Sequence, residues 1–413
     1  MNAQERNSGH NGGWRRHLHG SDLHGIGRIG LSAFGAALDL VEDTHKALAG
    51  RWLARGRIGS FGTSAYARAR LAHAVAGRWV DRLLAPAVLP GHRPSSPERE
   101  SVLAALNGFF GDRLADGANP LAIPMRLRRH GQALDLQRQA LARDIPGATG
   151  KLLVLVHGLC RCDLQWRRNH HDHGEALERD LGYTALYLSY NTGRHISVNG
   201  RELAQVLEQL VANWPVEVEE IAIIGHSMGG LVARSACHYG KKARHAWPRK
   251  LRHLVFLGTP HHGAPLERNG NWLVEMIGRA AFAAPVTRVA RLRSAGITDL
   301  RYGNLVDEDW HGRDRFEQAD DRRLPVPLPR GVKCYTIAGT TGRRLGDIRD
   351  RFLGDGVIPL DTALGRHTDA LRTLRFPAAR QWIAFGIHHL DLLSRSEVYD
   401  KLKEWLATRA PDK

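Results

Sequence analysis

Ile221 to Val232 reads IAIIGHSMGGLV, and this stretch decides the fold. Four apolar residues suited to a buried strand run straight into Gly225-His226-Ser227-Met228-Gly229, and an apolar, Ala-containing segment follows. A strand that turns sharply through Gly-x-Ser-x-Gly into a helix holds the serine on a strained backbone, with its hydroxyl clear of the sheet. Side chains at the flanking positions would crowd that turn, so Gly225 and Gly229 make steric sense. Ser227 would also stand at a helix N-terminus, where free N–H groups and the helix dipole favour a developing oxyanion.

The chain on either side extends this pattern. Strands are expected at Leu152–His157, Thr184–Tyr190, Glu220–Gly225, Leu251–Leu257 and Val332–Ala338, and helices at about Gly174–Leu181, Gly200–Asn213 and Leu231–Tyr239. Before them, a short helix over about Pro97–Phe110 leads into IPMRLRRHGQALDL, two short runs around His130-Gly131 that read as an antiparallel hairpin. A hairpin followed by βαβ units implies an α/β fold with a mainly parallel sheet and helices on both faces. Residues 261–330 are too long for a simple connection between two strands and suggest a helical lid insertion. Residues 1–21 read as a disordered tail, 22–95 as a helical extension ending in APAVLPGHRPSSP, and 96–413 as the main domain.

A serine hydroxyl is a poor nucleophile at neutral pH, so it needs a base, and the base needs an orienting acid. In strand–elbow–helix enzymes both follow the serine in chain order, acid first. LGDGVIPL puts Asp355 between glycines after the strand VKCYTIA, and GIHHLDLL puts His389 ahead of a helical pattern over Ser396–Leu406. Asp355 is therefore the candidate acid and His389 the candidate base. His388 could exchange roles with its neighbour, Asp361 is the reserve acid, and Asp391 lies too near His389 in sequence to orient it. The oxyanion donors should be the N–H of Met228, next after the nucleophile, and the N–H of Leu159 in LLVLVHGL, where His157-Gly158 ends an apolar strand.

Other clusters point to less. Cys160 and Cys162 read as structural, and the run Asn169-His170-His171-Asp172-His173 as a solvated, hydrogen-bonded loop rather than a metal site. Gly225–Gly230 does not spell a dinucleotide fingerprint. No cofactor or metal is expected. In GTPHHGAPL, His261 and His262 either line the site or hold the base of the lid.

Four scattered cysteines among 413 residues fit a reduced, cytoplasmic protein, as does an N-terminus without the apolar core of a secretory signal. The net charge of +17 comes with acidic residues interspersed throughout and with no zinc-finger or aromatic–basic ribonucleoprotein spacing. Nucleic acid is excluded as the expected partner. Attraction to anionic lipid headgroups, with peripheral membrane contact through the N-terminal helices, stays open. The oligomeric state is not legible.

VHGL at 156–159, GHSMGG at 225–230, LGTPHHGAPLE at 257–267, GDGVIP at 354–359 and HHLDLL at 388–393 together resemble bacterial esterase/lipase proteins of the α/β-hydrolase superfamily. They are also similar to the lipase-like domain of GPI inositol-deacylases. The resemblance covers about residues 120–413. It implies Ser227 as nucleophile, Asp355 as acid, His389 as base, Leu159 and Met228 as oxyanion donors, and a small-molecule or lipid ester as substrate. The same triad would serve a thioesterase or an acyltransferase. A non-catalytic hydrolase-like module recruited through its N-terminal helices is the remaining alternative.

Overall fold

Eight strands form one sheet in the order β2-β1-β4-β3-β5-β6-β7-β8. The computed structural model describes residues 21–31, 68–72, 74–76, 78, 95–264, 293–316, 321–343 and 354–407. The strands are β1 (Arg126–Arg129), β2 (Gln132–Ala133), β3 (Lys151–Val156), β4 (Thr184–Ser189), β5 (Glu220–His226), β6 (Leu251–Leu257), β7 (Lys333–Thr340) and β8 (Gln381–Phe385). β1 and β2 form the hairpin, β1 runs antiparallel to β4, and every pair from β4 onward is parallel. This is the α/β-hydrolase fold, an α/β architecture with a mainly parallel sheet.

The sheet is covered on both sides, and its central strands carry apolar runs that face both layers. In β3, Leu152, Val154 and Val156 point into one core with α4 (Ile196–Asn213) and α5 (Met228–Lys242). Leu153 and Leu155 point into the other, which includes residues of α3 (His173–Leu181) and α6 (Ser396–Ala407). A strand buried on both faces needs no polar alternation, and each buried leucine contributes about 1.5–3 kcal/mol.

The chain winds outward from β3 to β4 on one side and to β5 on the other. Such a reversal opens a crevice at the carboxyl ends of the strands, and the loops after β3 and β5 both begin there.

Four elements depart from the sequence expectation. Helix α1 spans Pro97–Asp116, running six residues past its expected end near Phe110 and through Gly108 and Gly111. Those glycines are close contacts, since a Cβ at either would collide with Cys160 or Asn191. Helix α2 (Arg138–Asp144) and strand β8 were not anticipated. Helix α4 begins a turn earlier than expected, where Asp299 accepts the Ile196 N–H at 2.8 Å.

The described second half of the 261–330 insertion is built into this body. Ile297, Leu300, Leu305 and Val306 belong to the core, and Ser235 donates to the Leu305 carbonyl at 2.6 Å. Residues 265–292, where a cover is expected, lie outside the described residues.

Packing divides the chain into two units: residues 1–99 with 116–122, and residues 100–115 with 123–413. In the first, residues 21–31 are helical, and the Arg99 Nε donates to Asp22 Oδ2 at 2.9 Å. Most of the expected helical extension over 22–95 lies outside the described residues. No helix among the described residues is long and apolar enough to cross a membrane.

Candidate active site

Ser227 sits at φ 54°, ψ −126° between β5 and α5. A non-glycine residue at positive φ costs of order 1–3 kcal/mol and persists only where its surroundings enforce it. Two hydrogen bonds do so here. The Ser227 N–H donates to the Leu257 carbonyl at 2.8 Å, and the Gly230 N–H donates to the Ser227 carbonyl at 3.1 Å. A Cβ on Gly229 would collide with the Val156 carbonyl oxygen, so the first turn of α5 abuts the end of β3.

The loop after β3 closes on the same point. A Cβ on Gly158 would lie 2.9 Å from the Ser227 Cβ. The next residue, Leu159, and the residue after Ser227, Met228, both bury their side chains in the core. The loop is pinned on either side of Leu159. Tyr190 donates its hydroxyl to the His157 carbonyl at 2.7 Å, and the Cys160 N–H donates to Thr192 Oγ1 at 3.2 Å.

Asp355 and His389 arrive from loops after β7 and β8. The loop carrying His389 is tied to β7 by the Ile387 N–H, which donates to the Thr340 carbonyl at 3.0 Å. The His389 N–H donates to the Asp355 carbonyl at 3.0 Å, and His389 Nδ1 donates to Asp355 Oδ2 at 2.7 Å. The other carboxylate oxygen, Oδ1, accepts from the Val357 and Ile358 N–H groups at 3.0 and 2.8 Å. Asp355 is fully buried and His389 nearly so. Because a carboxylate accepts, the proton of the neutral imidazole is on Nδ1 and the lone pair is on Nε2. That Nε2 is buried and makes no hydrogen bond.

His226 and Gly258 link the pair to the elbow. The His226 ring lies 4.6 Å from that of His389, and its Nε2 donates to the His389 carbonyl at 3.2 Å. Burial holds the His226 imidazole well below its usual pKa, and proximity to His389 lowers it further. It is thus a neutral ring beside the candidate base. Gly258, at φ 55°, leaves room for both partners: a Cβ there would lie 3.1 Å from Asp355 Oδ2 and from His389 Cε1.

The structure therefore brings Asp355 and His389 together, holds His389 against the residue preceding Ser227, and sets the Leu159 loop beside Met228. The competing residues stand elsewhere. His388 is exposed, Asp361 is exposed and pairs with Arg366, and Asp391 accepts from the His388 N–H at 3.3 Å. The roles of His226, Tyr190 and Gly258 had no signal in the sequence, because each acts through a contact made by the fold.

The remaining clusters have local explanations. All four cysteines are free and buried, and burial pushes Cys160 up to about 12 and Cys162 to about 11, far from a reactive thiolate. His171 and His173 bond to each other at 2.8 Å, and His173 Nε2 donates to the Leu392 carbonyl at 3.0 Å. Among the described residues no group of three His, Cys, Asp or Glu side chains is placed to hold a metal. His261 and His262 line a separate cavity, described below.

Fold and elbow together define the class: an α/β-hydrolase that resembles the esterases and lipases. Within it, residues 147–323 match the family described as "PGAP1-like alpha/beta domain". No curated protein matches the sequence. Among solved structures, the mature Bacillus licheniformis lipase BlEst2 is similar at 18% identity and a TM-score of 0.42, covering 62% of this chain and 91% of that one. EstA from Clostridium botulinum shows 12% identity and a TM-score of 0.35 over 63% and 88% of the respective chains. Staphylococcus hyicus lipase shows the same identity and score over 63% and 96%. Likenesses this distant say nothing of chemistry, which rests on the side chains.

Proposed function

We propose that this chain is a carboxylic ester hydrolase working through an acyl-enzyme on Ser227. The observation that carries the reading is the buried Asp355–His389 hydrogen bond of 2.7 Å, which leaves an imidazole nitrogen unpartnered beside the strained serine turn. In the first half-reaction Ser227 Oγ attacks the ester carbonyl while His389 Nε2 takes its proton. The oxyanion rests on the N–H groups of Leu159 and Met228. His389 then returns the proton to the departing alcohol. Water enters, gives its proton to His389, and releases the acid from Ser227. Asp355 keeps the ring in the tautomer these transfers require and stabilises the imidazolium that forms. Two preorganised backbone donors are worth having, since loss of one costs about 10²–10³ in turnover.

The substrate class is a lipid-like or acyl ester. The apolar runs Trp272-Leu273-Val274 and Ala280–Ala284 of the insertion support that class. The test is to label the purified protein with a fluorophosphonate beside Ser227→Ala, then to assay p-nitrophenyl esters of rising acyl length. One label per chain, lost in the variant, is expected, along with ester turnover. A folded wild type that takes no label, or a variant that labels equally, removes the proposal.

A further inference from the structure

A cavity of about 510 Å³ lies apart from the candidate catalytic residues, and neither Ser227, Asp355, His389, Leu159 nor Met228 lines it. Its wall is divided in character. Arg234 of α5 is nearly fully buried, and among the described residues no carboxylate pairs with it. The Arg234 Nη2 donates to the Val326 carbonyl, Nη1 reaches His261 Nδ1 at 3.4 Å, and Nε has no acceptor. Burial pulls the guanidinium down to about 9, so it is still charged at neutral pH.

Two further arginines of the wall share one carboxylate, that of Asp321. Arg323 is held by Asp321 at 2.7 Å, and Arg372 by Asp321 at 2.9 Å. Asp309 spends both carboxylate oxygens on the N–H groups of Leu305, Val306 and Leu324. Arg375 is exposed. Arg234 is thus a buried cation of the wall that pairs with no carboxylate among the described residues. The wall also carries Leu305, Leu324, Pro325, Val326 and Leu371, of which Leu324 at 52% and Leu371 at 81% are exposed.

A buried charge without a partner is costly, and exposed apolar side chains gathered at a cavity mark a binding surface. We propose that this cavity binds an amphiphilic carboxylate, with its head group on Arg234 and its hydrocarbon chain against Leu324 and Leu371. The site stands on the cavity alone and does not need ester hydrolysis to be the protein's activity.

The test titrates decanoate calorimetrically into the full-length Ser227→Ala chain, below the micellar range. Binding at one site per chain is expected. In that background Arg234→Met, which keeps the bulk and removes the charge, should weaken it at least tenfold. So should Leu371→Asp, an exposed substitution that does not threaten folding and decides the matter if the arginine variant misfolds. No decanoate binding overturns the proposal. Equal binding by the variants also overturns it, because the ligand would then sit in the acyl pocket. Binding of inorganic phosphate with none of decanoate overturns the amphiphile assignment.

Discussion

Replacing Asp355 by Asn separates the chemistry of this carboxylate from its structural work. Oδ1 accepts two backbone N–H groups, at 3.0 and 2.8 Å, and an amide oxygen in the same place can accept both. The exchanged atom then faces His389 Nδ1 at 2.7 Å as a donor. Two donors cannot share a hydrogen, so the ring must place its proton on Nε2 and its lone pair on Nδ1. A base with Nε2 already protonated cannot take the Ser227 proton. In serine hydrolases this tautomer switch lowers kcat by about 10⁴, which is about 5.5 kcal/mol in the barrier.

Asp355→Ala makes the contrast. It removes the same orienting bond and also strands the Val357 and Ile358 N–H groups, at about 1–3 kcal/mol each. The alanine variant should therefore lose both turnover and stability, whereas the asparagine variant should lose turnover alone. The assay is kcat on p-nitrophenyl butyrate beside urea unfolding of all three proteins. An asparagine variant within tenfold of wild type in kcat would show that Asp355 does not set the tautomer of the base, and the mechanism would have to be rebuilt around another acid.

Three further outcomes follow from the same contacts. Gly158→Ala puts a Cβ 2.9 Å from that of Ser227 and should displace the Leu159 N–H, lowering kcat by about 10²–10³ as loss of one oxyanion donor does, checked on the same ester. Asp172 caps α3 through the Gly174 and Glu175 N–H groups at 2.7 and 3.1 Å and also accepts from the Tyr187 hydroxyl at 2.6 Å. Its replacement by Ala should cost about 2–4 kcal/mol in urea unfolding, the cap and the stranded hydroxyl together. Burial lowers the imidazoles of His157 and His173 to about 4. The unfolded chain therefore binds more protons than the native one between about 4 and 6.5, and stability is full above 6.5 and falls as pH drops through that window. From pH 8 to pH 5 each histidine should forfeit about 2 kcal/mol. His173→Gln, followed by urea midpoints at both pH values, should flatten that dependence.

The core strands β3, β5 and β6 were legible because a strand covered on both faces carries a near-continuous apolar run, and a short run bounded by glycine leaves little choice. Strand β8 was not, since QWIAF buries only Ala384 fully and shows no alternation. Helix α1 ran past its expected end at Phe110, and its Gly108 and Gly111 report the closeness of Cys160 and Asn191. At the candidate site, chain order narrowed the choice to Asp355 or Asp361 and to His389 or His388, but it could not separate neighbours that differ only in which way they face. That difference arises in three dimensions. Asp355 lies in a loop whose own backbone N–H groups turn one oxygen inward, leaving the second for a ring delivered by β8. Asp361, six residues later, has already left that loop and points at solvent. Motif order in a sequence can therefore say which loops meet, while the backbone donors within each loop decide which side chain is presented there.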